Sequence, residues 1–392
     1  MTERETEDKL ETLCVHAGVE PEPQTGAIMT PIFQTSTYVQ PAPGQPLLYD
    51  YSRAGNPTRT ALETALAALE GGSDAVSFSS GLAAEQAIAQ LLDPGDRVIV
   101  SEDAYGGTGR LFRTLFQRYG IAFEFLDLRD LDALARALEE PAQMIWIETP
   151  TNPLLRIIDI RAVADLAAKH DALVVVDNTF CSPILQRPLA LGAHLVVHST
   201  TKYIGGHSDL IGGVVVTSDA ESAERLRYIQ FAGGAVNSPF EAFLLLRSVK
   251  TLAIRMERHS ANGLQVARAL QQSGRFEEVI YPGLETHPQH ALAARQMCGF
   301  SGMVSVRLPW DLPRVEHFLQ SLRLFSLAES LGGVESLVNH PEKMTHASVP
   351  PELREKLGIN AGLVRFSVGI EDAGDLIDDV LQAYARAEKV GS

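Results

Sequence analysis

The sequence predicts an α/β protein whose main sheet is mostly parallel. Its β-branched runs do not alternate between apolar and polar residues, which is typical of strands that are buried on both faces. Segments with helical spacing separate these runs, as the connections between parallel strands require. The predicted strands are DAVSFS, DRVIVS, IAFEFLD, MIWIE, LVVVD and HLVVHS, in this order along the chain. The predicted helices are TRTALETALAALE, a helix from Leu82, a helix near residues 107–118 and IRAVADLAAKH.

A smaller α+β unit is predicted to follow this sheet. Residues 238–241 read SPFE, which combines an N-cap serine, a proline at the first helical position and a glutamate at the third. A long helix is therefore expected through AFLLLRSVKTLAIRMERHSANGLQVARALQQ, before strands at 302–308 and 362–369 and a closing helix after Glu371 and Asp372. The expected organisation is an extended arm (1–48), a domain with the main sheet (49–237), and the connecting helix with the α+β domain (238–392). The arm is rich in Pro, Thr and Gln, and we expect it to pack on another subunit.

Charge and cysteine content argue against several kinds of partner. The 392 residues carry a formal net charge of −16 without a basic stripe interleaved with aromatic residues, so nucleic acid is not an expected partner. Cys14, Cys181 and Cys298 are far apart in the sequence, which fits a reducing compartment and no zinc or redox motif. The charged start MTERETEDKLET is unlike a secretory signal, and the chain contains no long uncharged apolar run. We therefore expect a cytoplasmic protein with no membrane span and no bound metal.

Two chemically active side chains follow neighbouring predicted strands. Asp177 closes LVVVD, and Lys202 follows HLVVHS within STTKYIGGH. Ligands of open parallel sheets bind outside the carboxyl ends of the strands, so we expect both side chains at one site. Each also has an ordinary alternative, because most lysines are surface residues and an aspartate after a strand is often a turn former.

An anion site is expected beside this pair. In SFSSGLAAEQ (residues 77–86) a strand, a Ser-Ser-Gly turn and a helix start present backbone N–H groups and the positive end of a helix dipole. Ser199 and Thr201, which come just before Lys202 in the chain, can add hydroxyl groups to this site. A reactive lysine, a carboxylate and a phosphate cradle are the groups that pyridoxal 5′-phosphate (PLP) needs.

Motifs along essentially the whole chain fit one known family. They are YSRAGNPTR (51–59), SSGLAA (79–84), DAYGGT (103–108), ETPTNP (148–153), VDNTF (176–180), HSTTKYIGGHSD (198–209), ESLGGVESL (329–337), MTHASV (344–349) and VRFSVGIED (364–372). On these motifs the chain resembles the Cys/Met metabolism PLP-dependent enzymes, a group that includes cystathionine γ-lyase, γ-synthase and β-lyase and methionine γ-lyase. The resemblance implies PLP-dependent transferase fold type I, similar to aspartate aminotransferase, with a sheet of the seven-stranded type. It also implies a homotetramer, built as a dimer of dimers with shared active sites.

The resemblance further implies roles for individual residues. In the family pattern, Lys202 attaches the cofactor and moves protons, Asp177 pairs with the pyridine nitrogen, and Tyr105 stacks on the cofactor ring. The phosphate is expected to bind Gly81, Leu82, Ser199 and Thr201, and also Tyr51 and Arg53 of the neighbouring subunit. The substrate α-carboxylate is expected to bind Arg365, assisted by Asn152 and Ser330. For Arg365 the alternative is a buried ion pair, which is the usual setting of an arginine in an apolar strand.

The expected substrate is L-cystathionine. Methionine γ-lyases of the family that this chain resembles have a cysteine two residues after the ring-stacking tyrosine. This chain has Gly107 at that position. Glu329 resembles an acidic residue that cystathionine γ-lyases and γ-synthases place near the distal part of the substrate. Asp50 and Arg110 are expected to line the same pocket, where charge pairing would select the distal amine and carboxylate. All three charges also fit solvated surface positions. LAESLGG lacks the aromatic residue that β-lyases place near the active-site serine.

We therefore predict a cystathionine γ-lyase, which converts L-cystathionine to cysteine, 2-oxobutyrate and ammonia and can also release H₂S from cysteine. The nearest alternative is cystathionine γ-synthase, which joins cysteine to O-succinyl- or O-acetylhomoserine. Methionine γ-lyase and cystathionine β-lyase fit less well. A metabolite sensor without catalysis is a different class, and the presence of Lys202 and Asp177 speaks against it. A nicotinamide-dependent dehydrogenase is disfavoured, because no G-x-G-x-x-G turn follows the first strand.

Overall fold

A seven-stranded sheet forms the centre of the computed structural model, which describes residues 8–347 and 349–390. The strands are β1 (Asp74–Phe78), β2 (Arg97–Ser101), β3 (Ala122–Leu126), β4 (Met144–Glu148), β5 (Leu173–Asp177), β6 (Leu195–Ser199) and β7 (Gly213–Thr217). Their order across the sheet is β1-β7-β6-β5-β4-β2-β3. Antiparallel pairing within this sheet involves β7 alone among the described strands, so the predicted mostly parallel architecture is confirmed.

Helices cover both faces of this sheet. On one face Val175 and Val197 share an apolar cluster with Ile88, and on the other face Val174 and Val163 share a second one. This two-sided burial explains why the strands are apolar without alternation. The helices of this part are α1 (Leu10–His16), α2 (Pro57–Glu70), α3 (Gly81–Ala89), α4 (Gly106–Arg110), α5 (Leu131–Ala137), α6 (Ile160–Ala167), α7 (Ser182–Leu185) and α8 (Ala220–Gly233).

A second sheet of five strands lies in the C-terminal part. Its strands are β8 (Glu278–Ile280), β9 (Met303–Arg307), β10 (Ser326–Leu327), β11 (Leu337–Asn339) and β12 (Leu363–Ser367), in the order β10-β11-β12-β9-β8. The accompanying helices are α9 (Pro239–Val249), α10 (Leu252–Gln272), α11 (His290–Gln296), α12 (Leu312–Ser321), α13 (Pro351–Leu357) and α14 (Ala373–Glu388). The central strand β12 carries Arg365, which places this arginine in the middle of a buried surface.

The long helix predicted after SPFE begins as expected but is interrupted. Ser238 and Glu241 form the predicted capping box, each side chain accepting the backbone N–H of the other residue. The helix then breaks between α9 and α10, where Thr251 has a non-helical backbone. The Arg255 guanidinium donates to the Ser248 carbonyl (3.0 Å) near the end of α9. A contact of this kind satisfies a carbonyl that has lost its helical donor, and sequence periodicity does not reveal it.

Three further features differ from the sequence expectation. The N-terminal arm contains α1, whereas its composition indicated extended chain. The helix expected near 107–118 is irregular, because glycine-rich α4 (GGTGR) is followed by a π-helical turn at Leu111–Leu115 and a 3₁₀ turn at Phe116–Tyr119. Strand β7 and helices α5, α7 and α8 were not anticipated, and β7 supplies the antiparallel member of the main sheet.

The two sheets share part of their core. Leu66 of α2, Leu245 of α9 and Met303 of β9 belong to one apolar cluster. The proposed division of the chain after residues 48 and 237 stays a prediction. Within residues 8–347 and 349–390, no helix combines the length and the apolar content that a membrane span requires.

Candidate active site

A cavity of about 260 Å³ lies at the carboxyl ends of β4, β5 and β6 and faces the second sheet. The polar ends of three parallel strands meet there, as the position rule for open sheets predicts. Most of the predicted site residues line this cavity. They are Gly81, Leu82, Tyr105, Asn152, Asp177, Ser199, Thr201, Lys202, Glu329, Ser330 and Arg365.

Lys202 points into this cavity from the loop after β6. Its Nζ donates to the Ser330 hydroxyl (2.7 Å). Burial and the positive charge of Arg365 together lower the pKa of the amine to about 8, while Glu329 acts in the opposite direction. A buried lysine of this kind is partly uncharged near neutral pH, so its nitrogen can act as nucleophile or base.

Asp177 provides a carboxylate on the neighbouring strand. Its Oδ1 accepts the backbone N–H of Thr179 (3.0 Å) in the turn after β5. Burial raises the pKa of this carboxyl, whereas hydrogen bonds from Thr179 and the field of His198 lower it. A buried carboxylate is stable when it meets a positive charge, so Asp177 is suited to a cationic group bound in the cavity.

The start of α3 forms an anion cradle. The Ser80 hydroxyl accepts the N–H of Ala83 (3.0 Å), while the N–H groups of Gly81 and Leu82 donate to no acceptor in the described part of the chain. A Cβ atom on Gly81 would lie 2.8 Å from the Ser199 Cβ, so only glycine lets these two segments approach. Free N–H groups, a helix dipole and nearby hydroxyls make a donor set that fits a phosphate.

Thr201 lines the cradle but has a local partner. Its hydroxyl donates to the Gly212 carbonyl (3.3 Å) and accepts the Gly212 N–H (3.1 Å). The Ser199 N–H donates to the Thr179 hydroxyl (2.9 Å), which ties the end of β6 to the turn after β5. These bonds hold the hydroxyl-bearing segments beside Lys202 in fixed positions.

Tyr105 projects over the cavity from the turn before α4. Its N–H donates to Oε2 of Glu148 (2.7 Å). Burial raises the pKa of the Tyr105 phenol, so its hydroxyl stays protonated at neutral pH. A Cβ atom at Gly107 would lie 2.3 Å from the Tyr105 ring. Glycine at this position therefore permits the observed placement of the ring.

Arg365 is a buried cation without a carboxylate partner. It is 2% exposed, and its guanidinium donates to the Asn152 side-chain oxygen (2.7 Å) and to the Ser330 carbonyl (2.9 Å). No Asp or Glu oxygen of the described residues lies within ion-pair distance of it, and its Nε has no hydrogen-bond partner among them. Burial lowers the pKa of Arg365 to about 10, so it remains charged at neutral pH. The site therefore presents a positive charge that no carboxylate of the described residues contacts directly, with Glu329 and Glu148 acting on it from a longer distance, and a carboxylate ligand would pair with it.

Ser330 joins the lysine to the arginine. Its hydroxyl contacts Lys202 and its carbonyl contacts Arg365. Its backbone has a φ of +83°, which is unusual for a residue other than glycine and costs about 1–3 kcal/mol. The surrounding contacts hold this strained turn in place, and the next glycine, Gly332, packs against the Tyr203 backbone.

A second, outer cavity adjoins the first. Tyr105, Thr201, Lys202, Glu329 and Ser330 line both cavities, and Arg110 lines the outer one. Glu329 and Arg110 thus bring opposite charges to the entrance side of Lys202. The structure thus brings these two residues to one cavity, and their predicted role in substrate binding stays a prediction.

Asp50, Tyr51 and Arg53 lie outside both cavities of the same chain. Arg53 donates to the Phe231 carbonyl (2.6 Å), and its guanidinium lies 4.4 Å from the centre of the Phe231 ring. The Tyr51 side chain is exposed. Their expected action on a neighbouring subunit stays a prediction, because one chain alone is described.

Sequence reasoning missed two acids of the inner cavity. Glu148 ends β4 as Asp177 ends β5, and its carboxylate accepts the N–H groups of Tyr105 and Asn152. The strand-end rule that identified Asp177 also applies to the first residue of ETPTNP. Glu85 lies inside α3, where no local sequence feature marks it as a cavity residue, and only the folded chain brings it to the cavity.

Comparison of the sequence with known protein families gives one match over nearly the whole chain. The family is described as Cys/Met metabolism PLP-dependent enzyme, and the match covers residues 11–385. A cystathionine β-lyase from Coxiella burnetii is 49% identical over 373 residues, or 95% of this chain and 96% of that protein. A cystathionine γ-lyase from Dictyostelium discoideum is 50% identical over 381 residues, with coverage of 96% and 98%. A cystathionine γ-synthase from Mycobacterium tuberculosis is 50% identical over 374 residues, with coverage of 95% and 96%.

Solved structures agree with these sequence matches. Cystathionine γ-synthase from Xanthomonas oryzae pv. oryzae in complex with cystathionine has a TM-score of 0.95 and 47% identity, and the match covers 97% of this chain and 99% of that one. Cystathionine γ-lyase from Lactobacillus plantarum complexed with L-serine has a TM-score of 0.94 and 43% identity, with coverage of 97% and 100%. The predicted fold class, the fold type I architecture, is thereby confirmed.

Proposed function

Because this chain belongs to the Cys/Met metabolism PLP-dependent enzymes, we propose that it is a cystathionine γ-lyase. Its cofactor is PLP, and it acts in the metabolism of sulfur-containing amino acids. The relatives carry the names of three reactions at nearly equal identity, so family membership alone does not select one of them. The residues of the two cavities supply the distinguishing arguments.

The inner cavity fits PLP and an amino-acid substrate. Lys202 offers the amine, Asp177 the carboxylate for the pyridine nitrogen, and the N–H groups of Gly81 and Leu82 the phosphate cradle. We assign the substrate α-carboxylate to Arg365, whose buried charge has no carboxylate partner within the described chain. Planar two-point binding of a carboxylate is the usual use of an arginine placed in this way.

The outer cavity carries the proposal for cystathionine. Cystathionine ends distally in a second amino group and a second carboxylate, and Glu329 and Arg110 line the outer cavity with opposite charges. Paired charges of this kind select a zwitterionic distal group over the methyl group of methionine. This observation favours cystathionine over methionine as substrate.

We propose the following division of labour. Bound PLP acts as an electron sink that stabilises negative charge on the substrate α-carbon. Lys202 takes the proton from the α-carbon and then moves protons at the β- and γ-carbons, because burial leaves its nitrogen partly uncharged near neutral pH. Tyr105, whose phenol stays protonated, is suited to give a proton to the leaving sulfur. The net reaction consumes water and yields cysteine, 2-oxobutyrate and ammonia.

Cystathionine γ-synthase is the second candidate. Arg110 in the outer cavity would also suit the succinyl carboxylate of O-succinylhomoserine. The two reactions share their early proton transfers, and they differ in whether water or the thiol of cysteine completes the sequence. The γ-synthase names among the solved structures keep this alternative open for experiment.

The position of the broken C–S bond is tested with L-cystathionine as sole substrate. The protein is incubated with added PLP, and the keto acid is identified by mass spectrometry. We expect 2-oxobutyrate, because elimination at the γ-carbon leaves a four-carbon keto acid. Pyruvate as main product would instead show elimination at the β-carbon and would overturn the proposed role of Glu329.

Arg53→Ala is expected to weaken PLP binding by roughly 10- to 100-fold, through loss of charge-assisted hydrogen bonds to the phosphate. We propose that Arg53 acts in the cavity of a neighbouring subunit, since it lies outside both cavities of its own chain. The dissociation constant is measured by titration of the apoenzyme. An unchanged constant would contradict the shared site.

Subunit complementation tests the same point, at a PLP concentration that saturates the wild type but not the Arg53→Ala chain. Arg53→Ala chains and Lys202→Ala chains are refolded together, so that a mixed dimer has one cavity with both Lys202 and a wild-type Arg53 from its neighbour. Activity well above the sum of the separate variants is expected. In the matched control, the Arg53→Ala chain is replaced by a chain that carries both Arg53→Ala and Lys202→Ala. Mixtures of this double variant with Lys202→Ala chains contain no cavity with an intact Lys202. Equal activity in both mixtures would contradict a dimeric site.

A further inference from the structure

Glu85 is a buried acid of the inner cavity that the proposed reaction does not use. It is 4% exposed, it lies on the second turn of α3, and it lines the cavity together with Asp177 and Tyr105. Its Oε2 has no hydrogen-bond partner among the described residues. The Thr108 hydroxyl is close to the carboxyl but makes no hydrogen bond of good geometry with it. Since a buried polar atom without a partner is costly, Glu85 requires an explanation.

No positive charge of the described chain compensates Glu85. It takes part in none of the ion pairs found among those residues. The basic side chains on elements that pack against α3 are engaged elsewhere. His198 bonds to Glu70, and Arg227 forms ion pairs with Glu63 and Asp74. Arg225 donates to the Leu91 carbonyl, and Arg110 lines the outer cavity. On the cavity side Asp177 is the acid whose charge acts on Glu85, and the acids Tyr105, Glu148 and Glu329 line the same cavity. The cations Lys202 and Arg365 also line it, but they donate to Ser330 and Asn152 and form no ion pair with Glu85.

These surroundings favour the neutral form of Glu85. Burial raises the pKa of its carboxyl well above the usual range, and the negative charge of Asp177 raises it further. Two adjacent carboxylates in a buried site do not both ionise without a cation. A cationic pyridine ring next to Asp177 would supply the missing positive charge, and Glu85 would then ionise more readily.

We propose that Glu85 is a proton-linked acid of the cofactor site: it is a neutral carboxylic acid in the apoenzyme and loses its proton to solvent when the cationic ring of PLP binds beside Asp177. This inference rests on the proposed pairing of Asp177 with the pyridine nitrogen. It gives Glu85 the role of a positioning residue whose charge adjusts to the bound ring. The release of a proton on binding makes the affinity for PLP increase with pH.

Calorimetric binding of PLP to the apoenzyme tests the proposal. The heat is measured in buffers of different ionisation enthalpy between about pH 6 and about pH 9, for the wild-type chain and for Glu85→Gln. Protons that PLP and Lys202 exchange on binding are common to both chains, so they cancel when the proton release of Glu85→Gln is subtracted from that of the wild type. We expect the wild type to release up to about one additional proton per chain, and its affinity relative to Glu85→Gln to rise by up to about tenfold per pH unit. Equal proton release by both chains would overturn the proposal.

A matched control is Glu63→Gln. Glu63 is also a buried glutamate on a helix, but it is ion-paired with Arg227 (3.3 Å) and does not line the cavity. We expect this variant to release the same number of protons as the wild type. A loss in Glu63→Gln equal to that in Glu85→Gln would overturn the assignment to the cavity.

Thermal unfolding of the apoenzyme gives a second readout, independent of PLP. The unfolded chain ionises Glu85 near its ordinary pKa of about 4.3, whereas the folded chain retains the proton to higher pH. Wild-type stability should therefore fall as pH rises above this value, and Glu85→Gln should lack this contribution. We expect the variant to have the higher Tm at alkaline pH, with the gap narrowing toward about pH 5. A gap that does not change with pH would contradict a protonated Glu85.

The possible failures are distinguishable. If both chains bind PLP and cleave cystathionine but release equal numbers of protons, only the role of Glu85 is wrong. If the wild type binds PLP without turnover of sulfur amino acids, the proposed function is wrong. Glu85→Leu repeats the measurement where the amide disturbs folding, and its predicted proton release equals that of Glu85→Gln.

Discussion

Lys202→Ala is expected to lower kcat by at least roughly 10³-fold, because the substitution removes both the group that attaches PLP and the base for the α-carbon. Lys202 is the lysine that lines both cavities among the described residues, so no second amine is available there. Reduction with borohydride should fix PLP to Lys202 in the wild type, detected as a mass increase of the corresponding peptide. The variant should show no such increase.

The exposed Lys169 provides the matched control. Lys169→Ala is expected to keep wild-type turnover and the same labelled peptide. A Lys202→Ala chain that retains the absorbance and the labelling of bound PLP would contradict the site. In the wild type, the rate of PLP attachment should increase with pH up to about pH 8, since the uncharged amine is the reactive form and its pKa is about 8.

Arg365→Ala is expected to lower kcat/KM by roughly 10²- to 10³-fold, which corresponds to about 3–4 kcal/mol for the loss of a buried carboxylate contact. The effect should appear mainly in KM, because the α-carboxylate is bound in the ground state as well as in the transition state. Arg365→Lys should recover only part of the loss, because an ammonium group cannot make the planar two-point contact. Steady-state kinetics with L-cystathionine measures both variants.

Two further observations separate carboxylate binding from a structural role. The apoenzyme of Arg365→Ala should lose little thermal stability, because the removal of a buried charge without a carboxylate partner in the described chain offsets the loss of its hydrogen bonds to Asn152 and Ser330. Arg307→Ala on the neighbouring strand β9 serves as control, because this arginine pairs with Glu278 and lies outside both cavities. A kinetic defect of equal size in both variants would contradict the assignment of Arg365.

Local sequence features predicted the parts of the site that depend on strand ends and helix starts. Asp177 and Lys202 follow apolar strands, and Gly81 opens a helix after a Ser-Ser-Gly turn, so their positions follow from the sheet alone. Arg365 was recognisable through the family motif, but its lack of a carboxylate partner is a property of the packed structure. The same applies to Ser330, which has a positive φ and contacts both Lys202 and Arg365.

Features that depend on distant contacts were not predictable from local patterns. The break after α9 is accompanied by a contact from Arg255 to the Ser248 carbonyl, seven residues earlier in the chain. Glu85 stands among alanines in a helical pattern, and its approach to Asp177 results from the packing of α3 on the sheet. The roles of Tyr51 and Arg53 depend on a second chain, so neither the sequence nor a single folded chain determines them.

The most direct test of the proposed function compares two reactions in one preparation. kcat/KM is measured for cleavage of L-cystathionine, and separately for formation of cystathionine from O-succinylhomoserine and L-cysteine. We predict the larger value for cleavage, with 2-oxobutyrate and cysteine formed in equal amounts. A larger value for cystathionine formation would contradict the lyase assignment and identify the protein as a γ-synthase.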